Sequence, residues 1–483
     1  MTRLIVGPFN RVEGDLEVRL EVADGRVREA RVVSTLYRGF ERILIGKVPD
    51  DALVYAPRIC GICSVSQSVA AAKALADAAG LRPPENGAIA INIIHATENV
   101  ADHLTHFYLF FMPDFARESY CDKPWHAAVV ERFKAVTGSA TRDMLPARAQ
   151  LMHILGLLAG KWPHTLSIQP GGTTRSVSAN ELARLSAILA GFRRFLQTRL
   201  FGDSLERVVS LASYDELEAW AGERHPESSD FRLFLHVSRA LGLVALGRGY
   251  DRFLSYGAYA SPSGALFPGG TFVKGEVIPV AVERISEDLT HAWYDSLAMV
   301  EAPFAGTTVA DISRAGAYSW CKAPRLAGEV MEVGAIARQV IAGHPLIRDL
   351  VAQSGGNVHS RVVARLLEIA RVVIAMEQWV RQINPGETFC AHGAMPGHTD
   401  GIGLTEAARG SLGHWLRVRG GRIENYQIVA PTTWNFSPRD GAGRPGALEQ
   451  ALVGAPVRAG ETEPVSVQHI VRSFDPCLVC TVH

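Results

Sequence analysis

Apolar and polar positions alternate strictly from Asp15, with Leu16, Val18, Leu20 and Val22 set against Asp15, Glu17, Arg19 and Glu21. The alternation breaks at Asp24-Gly25 and resumes at Val27, which predicts a β-hairpin with a two-residue turn and one face turned to a core. Further on the period becomes helical. Ser64 to Gly80 is Ala-rich and reads as a helix, as do Gly87 to Met112, Ala147 to Gly160, Asn180 to Phe201, Asp230 to Ala240, Gly328 to Ala342 and Asn357 to Ile383. Arg248 to Val282 alternates like short strands and turns. From Gly386 onwards Gly and Pro recur at short intervals and predict a region of loops and short strands. No internal repeat, low-complexity tract or long linker interrupts the pattern. The expectation is one domain over residues 1–483, mainly α with small β elements: an α+β chain with a large helical core and an N-terminal hairpin.

Composition narrows the function classes. With 483 residues, 47% of them hydrophobic, the chain can bury a large core. Lys plus Arg equal Asp plus Glu at 49 each, so no net field draws it to nucleic acid or to an anionic membrane. The most apolar window, Gly87 to Met112, carries His95, Glu98, Asp102, His103 and His106, which suits a buried helix and excludes a direct membrane span. The first residues hold one Arg and a short strand-like apolar run instead of a signal peptide, which predicts a cytoplasmic protein.

Four of the seven cysteines form two C-x-x-C pairs, Cys60/Cys63 and Cys477/Cys480, and Cys121, Cys321 and Cys390 are expected to be inert buried thiols. Cys63 precedes the predicted helix from Ser64, where the helix dipole favours thiolate. Four thiolates suit a soft metal: structural zinc, or an iron-sulfur cluster. A zinc ribbon keeps its pairs within a small module, whereas these lie at opposite ends of the chain, and a thioredoxin-like motif explains only one pair.

The residues around the pairs carry a more specific signal. Arg58-Ile59-Cys60-Gly61-Ile62-Cys63 and Asp475-Pro476-Cys477-Leu478-Val479-Cys480-Thr481-Val482-His483 resemble the paired signatures of nickel-iron hydrogenase large subunits. Arg11-Val12-Glu13-Gly14, Arg38-Gly39-Phe40-Glu41, Lys322-Ala323-Pro324-Arg325, Arg409 to Trp415 and Pro431-Thr432-Thr433-Trp434-Asn435 agree, in the family's order. The resemblance implies a nickel bound by Cys60, Cys63, Cys477 and Cys480, with Cys63 and Cys480 bridging to an iron that carries two cyanides and one carbon monoxide, Fe(CN)2(CO). It implies heterolytic splitting of H2 into hydride and proton. Glu13 then corresponds to a proton-relay carboxylate, and Arg409, Asp102 and Asp475 to a polar canopy over the open coordination positions. Thr432 corresponds to a hydroxyl bonded to an iron cyanide. Glu41, the backbone carbonyl of Ile428 and His483 correspond to ligands of Mg2+. Taken singly, Glu13 reads as a strand-edge partner of Arg11, the canopy residues as ordinary ion pairs, and Glu41 and His483 as solvated. The family's partner is a small subunit holding the iron-sulfur clusters, in a heterodimer or a dimer of heterodimers.

Several positions depart from the usual family pattern. Gln67 replaces a histidine four residues after Cys63, and an amide can hydrogen-bond sulfur but carries no charge. Ile62 and Phe110 are bulkier than the Val and Leu common on the family's gas path, and are expected to hinder dioxygen more than hydrogen. Ala408 replaces a proline before Arg409, which predicts a looser loop. Gln67, Ile62 and Phe110, and a chain that stops at His483 as a trimmed mature chain also would, resemble the hydrogen-sensing branch, whose members are slow enzymes that signal through a histidine kinase. An energy-conserving uptake hydrogenase is the alternative. A non-catalytic zinc or iron-sulfur protein is a third reading, opposed by the retention of both cysteine pairs.

Overall fold

The computed structural model describes residues 2–261, 264–296 and 298–482. Strands Thr2–Val6, Leu16–Ala23 and Arg26–Ser34 form an antiparallel sheet in sequence order. The hairpin turn is the expected Asp24-Gly25, both in left-handed conformation at φ 55° and 66°, the pair of positive angles that matches strand twist in a two-residue turn. Leu16, Val18, Leu20 and Val22 are buried. The hairpin is stitched to a late segment of the chain, with Val27 N donating to Ala455 O at 3.0 Å and Val457 N to Gly25 O at 2.9 Å. The two ends of the chain are thereby brought together before any metal is considered.

Helices dominate the middle, as the periodicity predicts. Ser64–Ala79 and Val358–Gln382 match the expected bounds closely, and Asn357 caps the latter by accepting from Ser360 N at 3.0 Å. Glu85–Thr105 passes into a wide π turn at His106–Phe111, so the predicted helix to Met112 changes winding before it ends. Two expectations need correction. The helix expected over Gly328 to Ala342 is confined to Ala335–Ile341, because Gly334 sits at φ 132° and Glu332 pairs instead with the Arg252–Leu254 backbone. The helix expected from Ala147 starts at Ala140, with Pro146 tolerated inside it.

The region after Gly386 is also more regular than its glycines indicate. Thr399–Ala407, Gly410–Arg419 and Arg422–Val429 form an antiparallel meander of long strands. Its glycines serve close packing. A Cβ on Gly401 would lie 2.2 Å from Ala74 O, and one on Gly403 2.0 Å from Ala70 O. The Ala-rich helix Ser64–Ala79 therefore lies directly on this strand, which fixes Cys63, the residue before the helix, relative to the meander. Ala407 pairs with Gly410, so Ala408-Arg409 is a two-residue turn at one end of the sheet. No helix among the described residues is long and apolar enough to cross a membrane.

Candidate metal centre

Cys60 ends a short 3-10 segment, Ala56–Ile59, and Cys63 occupies the N-cap of Ser64–Ala79; Cys477 is the N-cap of the short helix Leu478–Thr481. All four cysteines are buried and their sulfurs lie within 4.8 Å of one another. Cys63 Sγ is 3.0 Å from Cys480 Sγ, Cys477 Sγ is 3.1 Å from Cys480 Sγ, and Cys60 Sγ is 3.5 Å from Cys477 Sγ. Sulfurs this close share protons. Hydrogen bonds from its thiol neighbours, Cys477 first, hold Cys60 well below the usual thiol range, while the same contacts push Cys63 and Cys480 well above it and burial raises Cys477. Deprotonating all four takes a multivalent cation, and a soft donor set of this kind selects a late transition metal.

Polar groups complete the surroundings. Glu13 forms an isolated parallel bridge with Cys477, and Leu478 N donates to Glu13 O at 2.7 Å. Gly14, at φ 80°, allows this approach, since a Cβ there would sit 3.1 Å from Leu478 Cβ. The Glu13 carboxyl is half-buried; burial and the neighbouring Cys60 raise it above the ordinary range against the pull of Arg409 and Arg38. Arg409 Nη2 donates to Asp102 Oδ1 at 3.2 Å and Asp475 Oδ1 at 3.1 Å, Nη1 to Asp102 Oδ2 at 2.5 Å, and Nε to Asp475 O at 3.0 Å. All three residues are buried. One guanidinium between two carboxylates separates them: burial pushes Asp102 up to about 8 in spite of Arg409, whereas for Asp475 burial is outweighed by Arg409, His106 and Arg365, which hold it below the usual range. Thr432 Oγ1 accepts from Cys477 N at 3.2 Å. Gln67 lies one turn after Cys63, with its N–H donating to Cys63 O at 3.1 Å. Its Oε1 accepts from His414 Nε2 at 2.9 Å, and its buried Nε2 has no partner among the described residues.

The sequence profile of the family described as nickel-dependent hydrogenase matches residues 38–120 and 142–483. The chain belongs to the nickel-dependent hydrogenase large subunits. It is 28% identical to the periplasmic [NiFeSe] hydrogenase large subunit of Desulfomicrobium baculatum, over 100% of this chain and 95% of that protein. It is equally similar, at 28% and the same coverage, to the uptake hydrogenase large subunit of Azotobacter chroococcum. The solved structure of the oxidized Ni-Fe-Se hydrogenase from D. vulgaris Hildenborough superposes with a TM-score of 0.84 at 30% identity, covering 100% of both chains. The protein is therefore a hydrogenase subunit that catalyses H2 oxidation, with the mainly α fold expected from its periodicity. The Cys60, Cys63, Cys477 and Cys480 sulfurs fit a nickel-iron centre, and the unpartnered, buried Asp475 Oδ2 and Gln67 Nε2 provide polar groups beside it.

A second donor set lies next to the first. Glu41 Oε1 accepts from Ile428 N at 2.8 Å, and Lys322 Nζ stands 3.3 Å from Glu41 Oε2, 3.5 Å from Glu287 Oε2 and 2.7 Å from Gln427 Oε1. Thr308 Oγ1 donates to Glu41 Oε2. Thr481 lines the same small cavity as Glu41 and Glu287, so the C-terminal segment reaches it. Hard oxygen donors with more negative than positive charge fit a cation such as Mg2+. His483 lies outside the described residues. Ile62 and Phe110 are both half-buried, and Phe110 O accepts from Arg11. Of the three lone cysteines, Cys321 is buried as expected, but Cys390 is half-buried and Cys121 is exposed on a turn, a correction to the uniform buried expectation.

Two supporting roles were not read from the sequence, although Arg38 opens one of the matching segments. Arg38 Nη2 donates to Ile59 O at 2.5 Å and also to Val479 O, so one side chain staples both cysteine loops. The Glu98 carboxylate accepts from Val65 N at 2.8 Å, Ser66 N at 2.9 Å and Trp162 Nε1 at 2.9 Å, capping the helix that begins after Cys63. A polar residue recurring inside the apolar Gly87–Met112 window was the available signal. Burial is the largest influence on Glu98 and raises its carboxyl to about 7. A folded value raised above the unfolded one means stability is present below the unfolded pKa and lost as pH rises through about 7, by about 3 kcal/mol for a shift of this size. Glu98→Gln removes that slope. The melting-temperature difference, wild type minus E98Q, is expected to be larger at pH 5 than at pH 8.

Proposed function

We propose that this chain is the active-site subunit of a cytoplasmic, hydrogen-sensing nickel-iron hydrogenase. Gln67 carries the reading. Tyr426 Oη lies 2.7 Å from His414 Nδ1, an arrangement in which the hydroxyl donates to Nδ1 and His414 Nε2–H donates to Gln67 Oε1. With that tautomer the Gln67 amide accepts through Oε1, and its buried Nε2–H2 has no partner among the described residues. A neutral amide at this place tunes the centre without shuttling protons, which suits detection over throughput.

In this reading Cys60, Cys63, Cys477 and Cys480 would hold a nickel-iron group, with the Thr432 hydroxyl, bonded to Cys477 N, close to it. When bound, this group supplies the heterolytic splitting of H2. Glu13, with its raised carboxyl beside the thiols, accepts the proton. Arg409, Asp102 and Asp475 form the polar wall over the reacting side, and four of the five Arg409 donors are already engaged. Glu41, the Ile428 carbonyl and His483 would hold Mg2+. Among the described residues there is no second cluster of three or more metal-ligating side chains, so electrons leave through a partner, an iron-sulfur small subunit in a heterodimer or a dimer of heterodimers. A histidine kinase reads the output.

Energy-conserving uptake is the second reading, favoured by the uptake hydrogenase among the relatives. Phosphorylation of the kinase by the purified assembly, with and without H2, separates the two. The sensing reading expects H2 to change phosphorylation with wild type, and Gln67→His to raise H2-dependent dye reduction while abolishing that response. A kinase indifferent to H2 with the wild-type protein contradicts it.

A further inference from the structure

The turn that carries Arg409 is held from behind by another buried arginine. Arg338 is 1% exposed and uses all five of its N–H donors. Nε and Nη2 grip Glu368 at 2.9 and 2.8 Å, Nη1 reaches Glu406 Oε2 at 2.8 Å, and the remaining Nη1 and Nη2 hydrogens go to Ala407 O and Ala408 O, each at 2.9 Å. Ala407 and Ala408 are the two residues before Arg409. A planar fork that fixes both their carbonyls fixes the peptide planes from which the Arg409 side chain departs.

The same ion pair also reaches the other half of the canopy. Glu368 Oε1 accepts from His103 Nε2 at 3.1 Å, and His103 directly follows Asp102 on the helix Glu85–Thr105. Burial keeps His103 below its ordinary range, while Arg338 and His103 outweigh burial to hold Glu368 at about 2; a neutral imidazole thus donates to a charged carboxylate. Glu406 is tied in turn to Tyr256 N at 2.7 Å and Ser411 Oγ at 2.6 Å. The loop expected to be loose for want of a proline is thus clamped by side chains.

We propose that Arg338 and Glu368 are positioning residues for H2 oxidation: one buried ion pair sets the aim of Arg409 through the Ala407 and Ala408 carbonyls and the place of Asp102 through His103. The inference rests on the reading of Arg409 and Asp102 as the acting canopy pair. Positioning errors of an ångström cost about 100-fold in rate, so Arg338→Lys, which keeps the charge but loses the fork, is expected to lower kcat by about 10- to 100-fold with KM for H2 and metal content unchanged. In an Arg409→Lys background the same substitution is expected to add less than about twofold, because coupled residues are not additive. Amide exchange of residues 405–411, measured on the purified assembly with its partner subunit, is expected to rise in R338K.

The outcomes separate the two layers. Full activity in R409K alone overturns the reading of Arg409. A loss in R338K that multiplies in full with the R409K loss in the double variant overturns the brace, as does unchanged amide exchange in R338K. If R338K does not fold, Glu368→Gln takes its place in the same cycle, retaining volume and one acceptor while losing the charge that binds the Arg338 fork.

Discussion

Replacing Cys63 by Ser is expected to abolish nickel binding and, with it, all hydrogen-dependent dye reduction. Cys63 Sγ lies 3.0 Å from Cys480 Sγ, and both belong to the four-thiol set that would hold the metals. A serine hydroxyl in this buried place does not ionise and offers a hard oxygen where a soft thiolate is required. The fold should survive. Cys63 makes no helix-capping side-chain bond, and the first turn of Ser64–Ala79 is satisfied by Glu98, so circular dichroism should stay close to wild type. Elemental analysis then decides: nickel at background supports the assignment, and nickel at wild-type stoichiometry contradicts it.

Glu13→Gln should separate metal binding from turnover. The amide keeps the side-chain shape, and the backbone bridge to Cys477 and the bond from Leu478 N do not depend on the carboxyl. Nickel and iron contents are expected to match wild type. What is lost is a proton acceptor beside the thiols, its carboxyl raised by burial and by Cys60, and positioned acid-base groups contribute about 10²- to 10⁴-fold. A fall of that size in H2 oxidation at full metal content is the expected result. Activity within a few-fold of wild type would mean that protons leave by another route.

Much of this molecule was legible in the sequence, for identifiable reasons. The N-terminal hairpin has a period of two and a turn dipeptide that needs positive φ, so local physics determines it. The helices at Ser64 and Asn357 have strong periodicity and, for Asn357, a cap. The meander after Gly386 was hidden because Gly401 and Gly403 report contact with Ala70 and Ala74, hundreds of residues away, and a local reading takes such glycines for turns. At the metal centre the cysteine pairs announce themselves by spacing, since a ligand set tolerates few arrangements. Glu98, Arg338 and Glu368 do not, and Arg38 stands in a matching segment without showing its role, because their partners are largely backbone carbonyls, amide N–H groups or distant charges that no short motif encodes. Their roles emerge only once the strand and helix ends are placed together.

The most direct test of the account is an infrared spectrum of the purified assembly, taken with its metal analysis. The account predicts nickel and iron bound to this chain, with one carbon monoxide band and two cyanide bands that are lost in Cys63→Ser. Zinc without nickel, and no such bands in fully folded protein, would contradict it.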